Sequence, residues 1–132
     1  MANTPAEWMR QAEYDFETAQ VMFDSGRYFY AAFMCHLSVE KALKAAYMAH
    51  SKQLPPRTHN LAFLARKLPL SFSAEQSRLL SRLTGAGVET RYPEEMDSLI
   101  AEFPKSETQE ILKQAQEIVR WLKLELTKLQ TS

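Results

Sequence analysis

The chain has 132 residues, of which 45% are hydrophobic and 24% are charged, a composition typical of a globular domain. Its 16 basic residues balance its 16 acidic ones, which argues against non-specific binding to a polyanion. No apolar run approaches the roughly 18 residues that a membrane span needs, and the polar N-terminus lacks a signal-peptide pattern. Because Cys35 is the only cysteine, an internal disulfide is excluded. We therefore expect one domain over residues 1–132, in the cytoplasm and without membrane contact.

The first two predicted elements are long helices. Thr4 and Glu7 have the spacing of a capping box, and Gly26 suits the position just past a helix end. A second helix is predicted over residues 27–51, with apolar residues on more than one side. Such a helix belongs at the centre of a bundle, or it buries its second face in an oligomer interface.

Pro55 and Pro56 end helix 2, because proline disfavours helical geometry in the residue before it. A short helix is predicted over residues 60–67. The next helix begins at Ser73, which has a capping partner three residues later, and stops before Gly85.

The last helix is predicted from Ser106 onward as an unbroken apolar stripe. Residues 85–104 carry two glycines and two prolines and are interpreted as a long loop with room for a helical turn. The fold class is therefore all-α: an up-and-down antiparallel helical bundle of three long helices and two short ones.

Charge is distributed unevenly along the chain. The stretch from Lys41 to Ala74 contains no acidic residue, whereas the segments on either side are acidic. Such a stretch indicates an anion site or a surface that pairs with an acidic partner. The alternative is that acidic and basic segments neutralise each other within the bundle. The basic residues of the stretch are Lys41, Lys44, Lys52, Arg57, Arg66 and Lys67.

Two sets of polar side chains fall where apolar ones are expected. Asp15 interrupts the apolar stripe of helix 1, and the simplest explanation is a buried hydrogen bond to a basic or hydroxyl group on a neighbouring helix. His36, Glu40 and Lys44 recur every four residues and form a row along helix 2. A carboxylate beside an imidazole can do acid–base chemistry, but a structural ion-pair row at the edge of the core is the interpretation that we prefer. His36 and Glu40 supply only two metal-type ligands, so we expect neither a metal nor another cofactor.

Two loop segments carry further candidates. In Arg91-Tyr92-Pro93 the proline favours an extended Tyr92, and an arginine fork beside an aromatic ring suits a phosphate or a base. Alternatively, Tyr92 packs on the bundle and Arg91 pairs with an acid. His59 either hydrogen-bonds its own loop or faces a ligand. The sequence has no Gly-rich phosphate loop, and its three scattered histidines define no Ser/His/Asp site, so no catalytic residue is identified.

These features occur together in an order that resembles the HEPN domain family. The resemblance implies a helical bundle that forms homodimers. It also implies a gene often placed beside a minimal nucleotidyltransferase, with which the protein acts as a toxin–antitoxin pair or a related two-component system. The residues that carry it are, in chain order, Trp8, Ala12, Asp15, Gly26-Arg27-Tyr28-Phe29, Ala31, Ala32, residues 36–45, Thr58-His59-Asn60-Leu61 and Arg91-Tyr92-Pro93.

Many members of this family are metal-independent ribonucleases with an arginine, four to six intervening residues and a histidine. No histidine of this sequence has an arginine at that spacing. Lys44 before His50 and Lys52 before His59 come nearest, and lysine lacks the planar fork. The match is closer to the branch that bears Arg-Tyr-Pro, whose members look like nucleotide-binding or partner-binding proteins.

The leading hypothesis is a non-catalytic HEPN-type module that dimerises and binds a nucleotide-type ligand, a nucleotidyltransferase partner, or both. One alternative is a ribonuclease toxin with a degenerate site, in which His59 or His36 acts as the base. Arg91 or Arg57 would then supply the positive group beside the phosphate. Another is a purely structural scaffold. The ligand-binding candidates of the leading hypothesis are Lys41, Lys44, Arg57, His59, Arg91 and Tyr92.

Overall fold

The structure is a computed structural model that describes residues 4–87 and 95–131, with only the backbone for residues 130 and 131. Within these ranges the regular secondary structure is helical and no strand occurs, as predicted. None of the described helices combines the length and the apolar character that a bilayer span requires. The helices are α1 (Pro5–Asp24), α2 (Tyr28–Ser51), α3 (Leu61–Arg66), α4 (Ala74–Ala86), α5 (Met96–Glu102) and α6 (Lys105–Thr131).

The three long helices α1, α2 and α6 pack against one another and form the body of the bundle. The predicted capping box starts α1, since the Thr4 hydroxyl accepts a hydrogen bond from the Glu7 N–H at 3.1 Å and the Glu7 carboxylate accepts one from the Thr4 N–H at 3.0 Å. Gly26 follows the end of α1 with a φ of 79°, a left-handed conformation that glycine adopts without steric cost. The chain then turns directly into α2.

Helix α2 is the centre of the fold, because it contacts each of the other five described helices. Its alanines include Ala31, Ala32 and Ala42, all fully buried, and such small side chains let neighbouring helices approach closely. The Ser38 hydroxyl donates a hydrogen bond to the Ala12 carbonyl of α1 at 2.6 Å, which ties the two helices together. Of the two predicted reasons for an apolar α2, the central position is the one observed.

Helices α3 and α4 pack on α2 and on each other. Ser73 and Gln76 form the predicted capping box of α4. Asn60 caps α3, because its side-chain oxygen accepts the Phe63 N–H at 3.0 Å. The Thr84 hydroxyl of α4 accepts the Leu61 N–H at 3.2 Å, so the start of α3 is held against α4.

The structure differs from the loop predicted over residues 85–104. Helix α4 continues to Ala86, and α5 forms within the predicted loop. The helix α5 is short and lacks a clear sequence period, but Leu99 and Phe103 at its end are buried. The Phe103 ring lies 5.8 Å from the Phe29 ring of α2 and 5.2 Å from the Arg82 guanidinium of α4. Tertiary contacts therefore stabilise α5 where helical periodicity does not, as is usual for short helices.

Candidate functional site

A cluster of four polar side chains is centred on Glu40 in the middle of α2. Glu40 Oε1 lies 3.1 Å from His36 Nε2 and 2.9 Å from His59 Nδ1. Glu40 Oε2 accepts a hydrogen bond from Lys44 Nζ at 2.9 Å. We refer to His36, Glu40, Lys44 and His59 as the Glu40 cluster.

Two features of the chain bring the Glu40 cluster together. His36, Glu40 and Lys44 are one helical turn apart and share one face of α2. His59 comes from the residues before α3, where the Thr58 hydroxyl accepts the Asn60 N–H at 3.1 Å and Asn60 caps the helix. The local turn and the docking of α3 on α4 therefore determine where His59 lies.

The Glu40 cluster is buried at one end and open at the other. The side chains of His36 and Glu40 are 0% and 7% exposed, whereas that of His59 is 55% exposed. The predicted position of the polar row at the edge of the core is therefore wrong for His36, which lies fully inside. Lys44 is also buried, and its ammonium group lies 5.7 Å from the centre of the Trp8 ring of α1.

Glu40 carries a negative charge at neutral pH. Burial raises the pKa of its carboxyl, but the hydrogen bonds from His36, Lys44 and His59 and the positive charge of Lys44 outweigh that effect. The net result is a pKa of about 2. Glu40 is thus a pure hydrogen-bond acceptor, and each neighbour must present a proton or another cation to it.

The orientation of His36 is fixed on both sides of its ring. Its Nδ1 lies 2.8 Å from the Leu83 carbonyl, which can only accept, so Nδ1 carries a proton. Gly87 packs against the same ring so closely that a Cβ atom added there would overlap it. In the neutral imidazole the lone pair is then on Nε2 and points at the Glu40 carboxylate. Nε2 can hydrogen-bond that oxygen only if the ring carries a second proton.

The two lysines predicted to bind a ligand are both engaged with acids. Lys44 belongs to the Glu40 cluster. Lys41 Nζ lies 2.7 Å from Asp15 Oδ2 of α1, so Asp15 has the basic partner that its burial requires. A surface depression of about 750 Å³ beside this pair is lined by Glu7, Glu13 and Glu17 among others. Lys41 therefore lies in acidic surroundings, which are unfavourable for an anion.

The other basic residues of the acid-free stretch lie on the surface. Lys52, Arg57, Arg66 and Lys67 are exposed, and none of them forms an ion pair with the residues that the structure describes. The proposed mutual neutralisation thus applies to Lys41 and Lys44 but not to these four. Arg91, Tyr92 and Pro93, the remaining candidates, lie outside the described residues.

The reason for setting a metal site aside, that His36 and Glu40 have no third ligand, is wrong. His59 supplies that third group, and the three ligand atoms lie within 4.8 Å of one another. Nineteen residues separate Glu40 from His59, so no helical spacing links them. Only the turn signals around Thr58 and Asn60 mark His59 as fixed in place, and they do not indicate its partner.

Comparison with known proteins assigns the chain to a family. The HEPN domain model matches residues 5–126. No curated protein shows significant sequence similarity. Among solved structures, TT1696 from Thermus thermophilus aligns with a TM-score of 0.78 and 25% identity over 92% of this chain and 98% of that one. ST0689, an archaeal HEPN homologue, aligns with a TM-score of 0.72 and 20% identity over 95% and 99%. The chain therefore belongs to the HEPN domain family.

Proposed function

We propose that this HEPN protein binds a phosphate-bearing ligand of the nucleotide type through the surface around residues 52–67, which we call the basic segment. The observation that carries the proposal is the group of four exposed basic side chains in this segment, none of them ion-paired with a described residue. Exposed cations with no acid beside them attract anions, and arginine adds a planar donor fork that matches phosphate oxygens. The four are Lys52, Arg57, Arg66 and Lys67.

An additional proton on the Glu40 cluster would favour an anion at the same place. Glu40 contributes one negative charge, and Lys44 alone balances it. One further proton, on His36 or on His59, would give the cluster a net positive charge. Because the site is partly buried, this charge is screened less than a charge on the surface. His59, the most exposed member, is two residues from Arg57. A phosphate that contacts Arg57 would therefore lie close to His59.

The homodimer and the nucleotidyltransferase partner, with a toxin–antitoxin type of role, are part of the same proposal. Support for the homodimer comes from three apolar side chains on the surface near the N-terminus of α2, at a small depression between α2 and α5. Tyr30, Met96 and Ile100 are 48%, 40% and 54% exposed. A second copy of the chain is the occupant that we propose for this patch.

Binding of fluorescent ATP, GTP and short RNA, measured by polarisation at low and high salt, tests the ligand. We expect Arg57→Ala to weaken binding about fivefold, from roughly 1 kcal/mol per exposed charge-assisted contact. The salt dependence of binding should also become less steep in this variant. Arg120→Ala, which removes an exposed arginine from α6 outside the basic segment, is the matched control and should bind as the wild type does.

An equal effect of Arg57→Ala and Arg120→Ala would show attraction to charge in general and would refute a site in the basic segment. If no probe binds at all, co-purification from the native operon decides whether a nucleotidyltransferase-type protein is the partner instead. Light scattering of the wild type and of Ile100→Lys tests the dimer, which the introduced charge should dissociate.

The pair formed by Glu40 and His59 favours ribonuclease activity as a second candidate. The carboxylate accepts the His59 Nδ1 proton at 2.9 Å, so the neutral imidazole has its lone pair on Nε2, as a general base requires. When such a base removes the 2′-hydroxyl proton, the 2′-oxygen would attack the phosphorus and the P–O5′ bond would break, with Arg57 beside the charged phosphate. The protonated His59 or water would return a proton to the leaving 5′-oxygen, so no metal is needed. The missing arginine–histidine motif argues against this candidate.

Incubation of the protein with labelled RNA in the presence of EDTA tests ribonuclease activity. If the pair is catalytic, His59→Ala should abolish cleavage and arrest of growth on expression, while His50→Ala should leave both unchanged. Cleavage that persists in the purified His59→Ala protein would point to a contaminating nuclease and would exclude this mechanism.

A further inference from the structure

The Glu40 cluster also contains the ligand set of a metal site. Two imidazole nitrogens and one carboxylate oxygen converge there: His36 Nε2, Glu40 Oε1 and His59 Nδ1, all within 4.8 Å of one another. Two histidines and one carboxylate are a ligand set that protein sites use for zinc and for non-haem iron. We propose that these three residues bind a divalent transition-metal ion of the zinc type. The inference goes beyond the proposed function and does not depend on it.

The first argument is the proton arrangement at His36. The Leu83 carbonyl holds the proton on Nδ1 at 2.8 Å, so the lone pair of the neutral ring is on Nε2 and faces Glu40 Oε1 at 3.1 Å. A lone pair and a carboxylate oxygen at that distance repel each other unless a second proton or a metal ion lies between them. Metal-ligating histidines commonly donate their other ring N–H to a carbonyl in this way.

The second argument is the spacing of the ligand atoms. Glu40 Oε1 is 3.1 Å from His36 Nε2 and 2.9 Å from His59 Nδ1. Ligands about 2.0–2.2 Å from a tetrahedral zinc ion are separated by about 3.3–3.5 Å. A displacement of a few tenths of an ångström therefore suffices to admit the ion. His59 can supply its part, since its side chain is 55% exposed. The 3.1 Å between His36 Nε2 and Glu40 Oε1 needs only an angle at the ion slightly below the tetrahedral one.

The third argument is the rigidity of the buried ligands. Gly87 and the Leu83 carbonyl hold the His36 ring, and Lys44 holds the second oxygen of Glu40 at 2.9 Å. Glu40 would therefore bind the ion through Oε1 alone. Lys44 adds a positive charge that weakens the attraction for a cation, so we expect a site of moderate affinity. With three protein ligands, a fourth position is left for water or another ligand, as in catalytic zinc sites.

Titration of the EDTA-treated full chain with Zn²⁺ by calorimetry tests the site. The wild type should bind one ion per chain. His59→Ala should bind at least about 100-fold more weakly, because loss of a ligand should cost more than loss of an outer-shell partner. His50→Ala removes the third histidine of the chain, which lies outside the cluster, and should bind like the wild type. Circular dichroism establishes that each variant is folded, and His59 is chosen because it is the most exposed ligand.

Cobalt provides a second readout that does not need a variant. Co²⁺ bound by three protein ligands and one water in a tetrahedral site absorbs visible light far more strongly than the octahedral aqueous ion. We expect an intense visible band for the wild type and its loss on addition of excess Zn²⁺. A weak octahedral spectrum, or equal zinc affinity of the wild type and His59→Ala, would overturn the proposal. Nucleotide binding is measured separately in EDTA, so the failure of one proposal leaves the other intact.

Discussion

Among the residues that the structure describes, the carboxylates of Asp15 and Glu40 are buried, and their surroundings differ. Asp15 faces Lys41, one acid and one base, and Lys41 is 24% exposed. Glu40 has three partners, of which His36 is fully buried and His59 reaches the surface. The first arrangement is an ion pair between α1 and α2 whose two charges balance. In the second, one buried carboxylate with a lowered pKa serves three partners, one of which is open to solvent. Perturbed carboxylates of this kind are common in functional sites, so the Glu40 cluster, and not the Asp15–Lys41 pair, is the candidate site.

The largest expected effect is on stability and comes from Glu40→Ala. This substitution leaves Lys44 and His36 buried without their acceptor, and loss of one partner of a buried ion pair costs about 3–5 kcal/mol. Urea unfolding followed by circular dichroism measures the change. Glu40→Gln keeps the shape and one oxygen acceptor, and should lose less. A cost below about 1 kcal/mol for Glu40→Ala would mean that water, not Glu40, stabilises Lys44 and His36.

The next largest expected effect is a pH dependence of the free energy of unfolding, which follows from the lowered pKa of Glu40. The folded value of about 2 lies below the ordinary value of 4.5. The carboxylate therefore contributes stability above pH 4.5, and that contribution is lost as the pH falls from 4.5 to 2. The difference corresponds to about 3 kcal/mol.

Unfolding free energies of metal-free wild type and Glu40→Gln, measured between pH 7 and pH 2, test this expectation. The wild type should lose stability more steeply over the acid range, and the two curves should converge near pH 2. Parallel curves would contradict a lowered pKa at Glu40.

Substitution of Gly87 tests the support of His36. A methyl group at this position would overlap the ring, so Gly87→Ala should force the ring or the end of α4 to move and cost about 1–3 kcal/mol. Gly85→Ala is the matched control, because a Cβ atom there meets no described atom within 4 Å. In the helix α4 that substitution should be neutral or stabilise by up to about 1 kcal/mol. Thermal unfolding compares the two, and equal melting temperatures would contradict the tight contact.

The smallest expected effect is at the Asp15–Lys41 pair. Asp15→Ala should cost about 1 kcal/mol, because the partly exposed Lys41 can turn into solvent once its partner is lost. A double-mutant cycle with Asp15→Ala and Lys41→Met should give a smaller coupling energy than a cycle with Glu40→Gln and Lys44→Met. The reverse order would mean that the Asp15–Lys41 ion pair stabilises the fold more than the Glu40–Lys44 pair does.

The helices themselves were largely predictable from the sequence. The capping boxes at Thr4 and at Ser73 and the turn at Gly26 are local signals, and each lies at the predicted boundary. Helix α2 also ends at Ser51 as predicted, with Lys52 in a left-handed conformation before Pro55. The position of α5 was not predictable, because its stability depends on the burial of Phe103 against other helices.

In the candidate site, too, some features follow from local sequence and others from the packing of the helices. The spacing of four residues places His36, Glu40 and Lys44 on one helical face by local geometry alone, so the sequence by itself determined that row. The third partner of Glu40 is 19 residues away, and the carbonyl that orients His36 is 47 residues away. The packing of α3 and α4 on α2 brings these groups together. Helical period and capping act within about one turn of the chain, whereas such contacts depend on how the helices dock, and only the tertiary structure decides that.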